Sequence, residues 1–167
     1  MHVKITYSIY QTMAIDSVFS VNYKNRDLLE KIFDSLTLEE LLHIPEGFSN
    51  NILWNIGHVI AVQQLLVYKR SGIETFVPGS FVKNFAPGTF PSDEITLKEA
   101  EEVRSFLHNT IRQTEQDFLE HKFQSYEIFT ARSGFVIDNV VKAIIFNNFH
   151  EGVHLGIILS LKKFVWG

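Results

Sequence analysis

Apolar residues recur at the three- and four-residue spacing of amphipathic helices in four long stretches of this chain. These stretches predict helices over about residues 21–36, 51–71, 96–119 and 138–163. Each such helix must bury its apolar face against the others, so four of them in one domain form a bundle. We therefore expect an all-α protein built as a four-helix bundle.

Residues that commonly start and stop helices support these bounds. Thr37 and Thr96 each begin a Thr-x-x-Glu capping box, which predicts a short extra turn after the first helix and the start of the third. Ser49 or Asn50 is placed to cap the second helix, and Gly72 is placed to end it.

Two connections depart from the helical pattern. Residues 73–93 contain three of the four prolines together with four phenylalanines, which predicts a long irregular crossover between the second and third helices. A connection of this length is either a lid over a site or an aromatic segment packed on the bundle, and both interpretations are open. Residues 126–130 predict a short extended stretch.

The chain has 167 residues, which is the length of one domain with a sizeable core. We assign residues 1–167 to that domain and treat residues 1–20 as an N-terminal extension, because the helical pattern begins only near Val21. For the same reason Met13 is an alternative start of translation.

Composition excludes several classes of function. The net charge of −4 offers no basic surface for phosphates, so we expect no nucleic-acid partner. The chain has no cysteine, which excludes thiolate metal sites and a cysteine nucleophile. We find neither a secretory signal nor an apolar run of about 18–20 residues, so we expect no membrane partner and a cytoplasmic location.

Two of the seven histidines are paired within an apolar stretch of the fourth predicted helix. His150 and His154 are four residues apart, so both imidazoles lie on one face and can reach one ion. Two hydrogen-bonded core histidines are the alternative interpretation. Four of the remaining five histidines are expected at the surface, namely His2, His43, His108 and His121.

His58 lies in an equally apolar stretch of the second predicted helix. Gly57 adjoins it, and Gly152 and Gly156 flank His154. Because glycine inside a helix costs about 1 kcal/mol relative to alanine, we interpret the three as allowing the second and fourth helices to approach closely. His58 would then join the pair, and three imidazoles leave a metal position open to solvent or substrate.

The segment His150–His154 also spells the HExxH signature of zinc proteases, but no His, Asp or Glu follows it to supply their third ligand. A di-iron carboxylate site fails as well, because Asn55 stands where a glutamate is needed.

Glu151 is expected either to orient an imidazole or to pair at the surface, and Asn147 is better aimed at the histidines.

Three segments, NNILWNIGHVIAVQQLLVY, FAPGTFP and NNFHEGVHLGIILSLKK, resemble the DinB-like superfamily with its YfiT-like relatives. The resemblance implies an up-down-down-up bundle, often a homodimer, that holds one divalent metal ion on His58, His150 and His154. Zinc is the first expectation for that ion, with nickel, iron and manganese as alternatives.

Relatives of this kind imply a metal-dependent transferase that uses a low-molecular-weight thiol such as bacillithiol or glutathione. The absence of cysteine fits a thiol that is brought in as a cosubstrate. No catalytic residue is identified, and no run of Arg and Lys adjoins the histidines to indicate an anion pocket. The competing interpretation is a non-catalytic dimeric bundle that binds a metal or a small ligand.

Overall fold

Helices dominate the computed structural model, which describes the backbone of residues 2–92 and 94–165 and the side chains of residues 15–92 and 94–165. The α-helices are α1 (His2–Asp34), α2 (Leu38–Leu42), α3 (Ile52–Val67), α4 (Gly79–Phe85), α5 (Leu97–Leu119) and α6 (Val140–Leu161). Strands β1 (Phe129–Thr130) and β2 (Val136–Ile137) pair antiparallel, with Phe129 opposite Ile137.

The four long helices α1, α3, α5 and α6 form an up-down-down-up bundle, as the resemblance implied. Side-chain contacts show that α1 is antiparallel to α5 and parallel to α6, and that α3 is antiparallel to α6 and parallel to α5. The contacts between α1 and α5 are Asp34–Arg104 and Tyr23–Glu115, and those that join α1 to α6 and its last turn are Val18–Asn148 and Ser35–Lys162. The contacts between α3 and α6 are Asn55–His154 and His58–His150, and those that join α3 and its C-cap to α5 are Gln63–Thr114 and Tyr68–Asp117. Because α3 and α5 are parallel, the chain between them must cross the length of the bundle.

Helix α1 begins at His2 rather than near Val21, so the stretch expected as an extension is helical from residue 2 to residue 20. Val21 itself is half exposed, whereas Phe19 is buried. The inward stripe continues through Asn22 and Arg26, both buried, and these polar residues interrupt the apolar pattern on which the prediction depended. Met1 lies outside the described residues.

The crossover is also more regular than expected, because α4 forms within it. Phe81 and Phe85, four residues apart, are both buried against the core. This i, i+4 pair is the spacing of one helical face. The segment is therefore packed on the bundle, which is one of the two interpretations that the sequence left open.

Most helix ends match their sequence signals. Thr37 and Thr96 form complete capping boxes at the starts of α2 and α5. Asn51, rather than Ser49 or Asn50, caps α3 by accepting a hydrogen bond from the Trp54 amide. Gly72 ends the 3₁₀ turn after α3 in the left-handed conformation, with φ of 72°.

Helix α3 lies at the centre of the bundle and is buried on nearly every side. Its polar residues therefore face protein rather than solvent, and each must find a partner or a function. Among the residues that the structure describes, no helix combines the length and apolarity needed to cross a bilayer.

Candidate metal centre

His58 is held in a single orientation from two sides. Its side chain is buried, and its Nδ1–H donates to the carbonyl oxygen of Phe85 at 2.8 Å. The ring stacks on Trp54, one helical turn earlier in α3, with centroids 4.6 Å apart and planes 15° apart. Since Nδ1 carries the proton, Nε2 is left with its lone pair free to bind an ion.

His154 is oriented in the same way by an asparagine of α3. Its Nδ1 lies 2.8 Å from Oδ1 of Asn55. The Asn55 amide nitrogen already donates to Asn50 and to the Asn51 carbonyl, so the oxygen must be the atom that faces His154. An oxygen only accepts, so His154 carries its proton on Nδ1 and presents an unprotonated Nε2.

His150 completes the group. Its ring centroid lies 5.3 Å from that of His58 and 4.5 Å from that of His154. One ligand nitrogen from each of the three rings falls within 4.8 Å of the other two. The structure thus brings together the three histidines that the sequence singled out.

Burial lowers the pKa of all three imidazoles. It lowers the pKa of His58 despite the opposing hydrogen bond to Phe85, and it takes the pKa of His150 to about 3 and that of His154 to about 4. Repulsion from neighbouring imidazoles adds to burial for His150 and His154. All three rings are therefore neutral near pH 7, and a metal ion need not displace a proton to bind them.

The group suits a divalent transition metal. Nδ1 of His150 is buried without a hydrogen-bond partner among the described residues. An orphaned polar atom of this kind costs about 1–3 kcal/mol unless an ion or a water molecule satisfies it. Three neutral imidazole nitrogens favour zinc, nickel or iron over calcium or magnesium, and they leave part of the coordination sphere open.

Sequence reasoning missed the contacts that Trp54, Asn55 and the Phe85 carbonyl make with the histidines. Asn55 was considered solely as a missing di-iron ligand. Its position three residues before His58, on the same face of an apolar helix, was the available signal. No pattern indicates the Phe85 carbonyl, because its position depends on the path of the crossover.

The interpretation that the three glycines bring the second and fourth helices together was wrong for all three. A Cβ at Gly152 or Gly156 would meet no atom within 4 Å, so neither glycine brings α6 close to α3. Gly57 does mark a close approach, but the neighbour is the ring of Phe85 in the crossover, which a Cβ would overlap. His58 joins the pair because α3 packs against α6, not because glycines line that interface.

Glu151 neither pairs at the surface nor serves as a protease base. Its carboxylate is fully buried and accepts hydrogen bonds from Arg26 of α1, at 2.6 Å from Nη2 and 3.1 Å from Nε. Asn147 donates to the same carboxylate oxygen at 2.7 Å, so it faces this ion pair. The pair links α1 to α6 directly behind His150.

A cavity of about 660 Å³ opens beside the histidines and contains both His58 and His150 in its wall. Apolar side chains of α3 and α6 form much of the wall, and Pro87 and Gly88 of the crossover close one side. Lys69, Arg70 and Arg132 also line it. No run of Arg and Lys adjoins the histidines in sequence, and Arg132 joins Lys69 and Arg70 at this cavity only through the fold.

The remaining histidines lie away from this group. His43 and His121 are exposed, and Nε2 of His108 lies 3.2 Å from Glu30 on the α1–α5 surface. The side chain of His2 lies outside the described residues.

Comparison with known proteins places the chain in a family. No curated protein matches it. The family model described as the DinB superfamily matches residues 22–158, a span that includes the three histidines, all of α3 and α5, most of α6 and the C-terminal part of α1. The chain therefore belongs to the DinB superfamily.

Proposed function

We propose that this protein is a metal-dependent transferase that joins a low-molecular-weight thiol, of the bacillithiol or glutathione type, to an organic electrophile. The observation that carries the proposal is the convergence of His58, His150 and His154 within 4.8 Å, with His58 and His150 in the wall of a cavity large enough for a small organic molecule. A closed structural metal site needs neither an open coordination position nor such a cavity.

A divalent ion held by these three residues, zinc first among the candidates, would supply a positive charge that lowers the pKa of a thiol in the open position. The chain itself fixes the ligands. The Phe85 carbonyl and Asn55 hold His58 and His154 in their tautomers, and such partners also make imidazole a stronger ligand.

In the transfer the thiol loses its proton to solvent, and a new sulfur–carbon bond forms at the electrophile. The leaving group departs with the electron pair of the bond that breaks. The apolar wall from Val62, Leu65 and Leu66 excludes water from this encounter, which favours the thiol over hydrolysis. Because the chain has no cysteine, the sulfur must come from the cosubstrate, and the reducing cytoplasm is where such thiols are available.

The competing function is a bundle that binds metal or a small ligand without catalysis. It requires the same three histidines but no reaction of a thiol at the ion. The exposed apolar side chains of α6, among them Ile145, Phe149 and Val153, favour it, because its working form is a dimer.

Metal content and thiol binding test the proposal in two steps. The parent protein, purified without a His-tag, should hold about one divalent ion per chain by elemental analysis, and the His58→Ala and His154→Ala variants should hold little, because one of three ligands is gone. His43→Ala, at an exposed histidine outside the group, is the matched control.

The cobalt-substituted protein then separates the two functions. Addition of glutathione or bacillithiol should shift its d–d absorption as sulfur enters the coordination sphere. A cobalt spectrum that no thiol perturbs would reject the transferase and leave the binding bundle.

A further inference from the structure

The wall of the cavity beside the histidines changes in chemical character from one end to the other. His58, Val62 and Leu65 of α3 are followed by Lys69 of the next 3₁₀ turn at spacings of three and four residues, and all four line the cavity. Residues at this spacing lie on one face of a helix, so the wall passes from imidazole through aliphatic side chains to a cation. Lys69 lies eleven residues after His58, which is about 16 Å along the helix axis.

The other walls repeat this order. Beside the imidazoles, Phe146 of α6 precedes His150 by one turn and adds an aromatic surface. Phe129 and Ala131, from the β1 segment, continue the apolar wall. Arg132 follows Ala131 directly and brings a second cation to the cavity that contains Lys69.

Only part of the positive charge in this cavity is neutralised by protein. Arg70 forms an ion pair with Glu127 at 2.8 Å and lies over the ring of Phe129, with its guanidinium carbon 4.6 Å from the centroid. Lys69 and Arg132 form no ion pair with any residue that the structure describes. The cavity thus has a net charge of about +2 in a chain whose net charge is −4, if the three imidazoles are neutral.

We infer that the organic substrate of the metal centre is an amphiphilic anion, whose apolar body lies along Val62 and Leu65 and whose carboxylate or phosphate lies between Lys69 and Arg132. This inference rests on the proposed function for the reactive end of the molecule. The opposite end of the substrate is inferred from the cavity wall alone. Lys69 and Arg132 lack an ion-pair partner among the described residues, and the side chains of Val62 and Leu65 between them and His58 are aliphatic.

Short amphiphiles test the inference by calorimetry on the whole chain, in both its metal-free and zinc-loaded forms. Octanoate and octyl phosphate should bind about fivefold to tenfold more tightly than octanamide, because each cation adds a charge-assisted hydrogen bond to the anion. Octylamine should bind more weakly than octanamide. Whichever anion binds more tightly identifies the headgroup.

Variants assign the preference to the two cations. In the Lys69→Gln/Arg132→Gln protein, octanoate should bind no more tightly than octanamide. The Lys98→Gln/Arg112→Gln protein removes the same two charge types from the exposed surface of α5 and should keep the preference. Equal binding of octanoate and octanamide by the parent, no binding of either anion, or a preference that survives loss of Lys69 and Arg132 would overturn the inference.

Binding to the metal-free form keeps this test separate from that of the transferase. Without an ion, a carboxylate has only the two cations to bind, so the result does not depend on metal chemistry. A chain that binds octanoate but no divalent ion would reject the proposed function and retain the amphiphilic anion.

Discussion

Asn55 and the Phe85 carbonyl perform the same task for two different histidines. Each accepts a hydrogen bond from Nδ1–H, which leaves Nε2 of the ring free to bind an ion. Partners of this kind set both the tautomer and the direction of a ligand ring. Asn55 is itself anchored by two hydrogen bonds from its amide nitrogen, so it orients His154 without freedom to rotate.

Replacing Asn55 by alanine should weaken zinc binding by about 10- to 100-fold, the usual effect of losing a partner of a ligating histidine. Competition with a chromophoric chelator measures the change. Asn55→Asp keeps an acceptor for His154 but loses the two amide hydrogen bonds, so it should retain part of the affinity, while Asn109→Ala, on the exposed side of α5, should leave it unaltered. If the aspartate variant lost as much affinity as the alanine variant, hydrogen bonding to His154 would not be the cause.

Gly57→Ala should destabilise the protein by about 1–3 kcal/mol, because the new Cβ overlaps the buried ring of Phe85 and overpacks the core. The same movement displaces the Phe85 carbonyl, so metal affinity should fall as well. Gly79→Ala is the control, since open space surrounds its Cβ at the start of α4 and alanine favours a helix by up to about 1 kcal/mol. Urea denaturation of the two variants should therefore give changes of opposite sign.

At the scale of whole elements, the middle of α6 reverses the pattern of an ordinary amphipathic helix, although the buried residues at its two ends are apolar. Its inward face includes Asn147 and Glu151, both buried, whereas its outward face exposes Phe149 and Val153. These two inward polar residues bond to Arg26 and to each other, so the ion pair to α1 determines this part of the face. An ion pair without solvent is also costly, because each charge loses its hydration.

Removing one member of that ion pair should be far more harmful than removing both. Arg26→Met or Glu151→Leu alone leaves a buried charge without its partner and should cost about 3–5 kcal/mol of unfolding free energy. The double variant should cost clearly less than either single one. Chemical denaturation in a double-mutant cycle measures the coupling, and additive losses would show that the two charges do not depend on each other.

Asp117 provides a pH-dependent link between α5 and the end of α3. Burial raises the pKa of its carboxyl, but hydrogen bonds from Lys122, Tyr68 and Gln113 outweigh burial, and the pKa lies below the ordinary value of 3.8. A lowered pKa in the folded state means that the carboxylate stabilises the fold fully above about pH 4, and that this contribution is lost as the pH falls further.

Asp117→Asn should therefore lower the unfolding free energy at pH 7 by about 1–3 kcal/mol, the range for hydrogen bonds to a charged group. The difference from the parent should shrink as the pH falls below about 4. Asp138→Asn, at an exposed ion pair with Lys142, should show little change at either pH. Denaturation curves across this pH range would contradict the assignment if the Asp117→Asn deficit stayed constant.

The elements that could be predicted from sequence are those whose inward faces are apolar. Helix α5 has an apolar stripe and a capping box at Thr96, and its predicted bounds match within a residue. Helix α1 was predicted too short because Asn22 and Arg26 occupy its inward stripe, and α4 was missed because a helix of 7 residues is too short for periodicity to show.

The candidate site divides in the same way. The histidines could be selected because three polar rings in apolar helices are conspicuous. Lys69 and Arg132 could not, because 63 positions of sequence separate two residues that meet only across a cavity. Contacts of this kind depend on tertiary packing, for which local patterns hold no signal.

For the molecule as a whole, the homodimer expected from the resemblance stays a prediction, and the outward face of α6 is where we expect it. Val141, Ile145, Phe149, Val153 and Leu159 follow the spacing of one helical face and are all exposed. Gly152 and Gly156 lie in the same stripe with open space around them, which would let a second α6 approach closely.

Light scattering coupled to size exclusion should give twice the chain mass for the parent. Phe149→Glu should shift the protein to the monomer, because a charge at the centre of an apolar contact must be desolvated. Leu119→Glu, at an exposed apolar position on α5, should leave the mass unchanged. A parent that remains monomeric at high concentration would exclude this face as a dimer contact.

The crossover that the parallel arrangement of α3 and α5 makes necessary has a consequence for order in the chain. The Phe85 carbonyl of α4 orients His58, a candidate metal ligand on α3. Docking of α4 against α3 would therefore strengthen metal binding, and metal binding would strengthen docking of α4 by the same free energy. A bound metal would then hold α4 against the bundle, and hydrogen exchange at the α4 amides should slow when zinc is added to the metal-free protein.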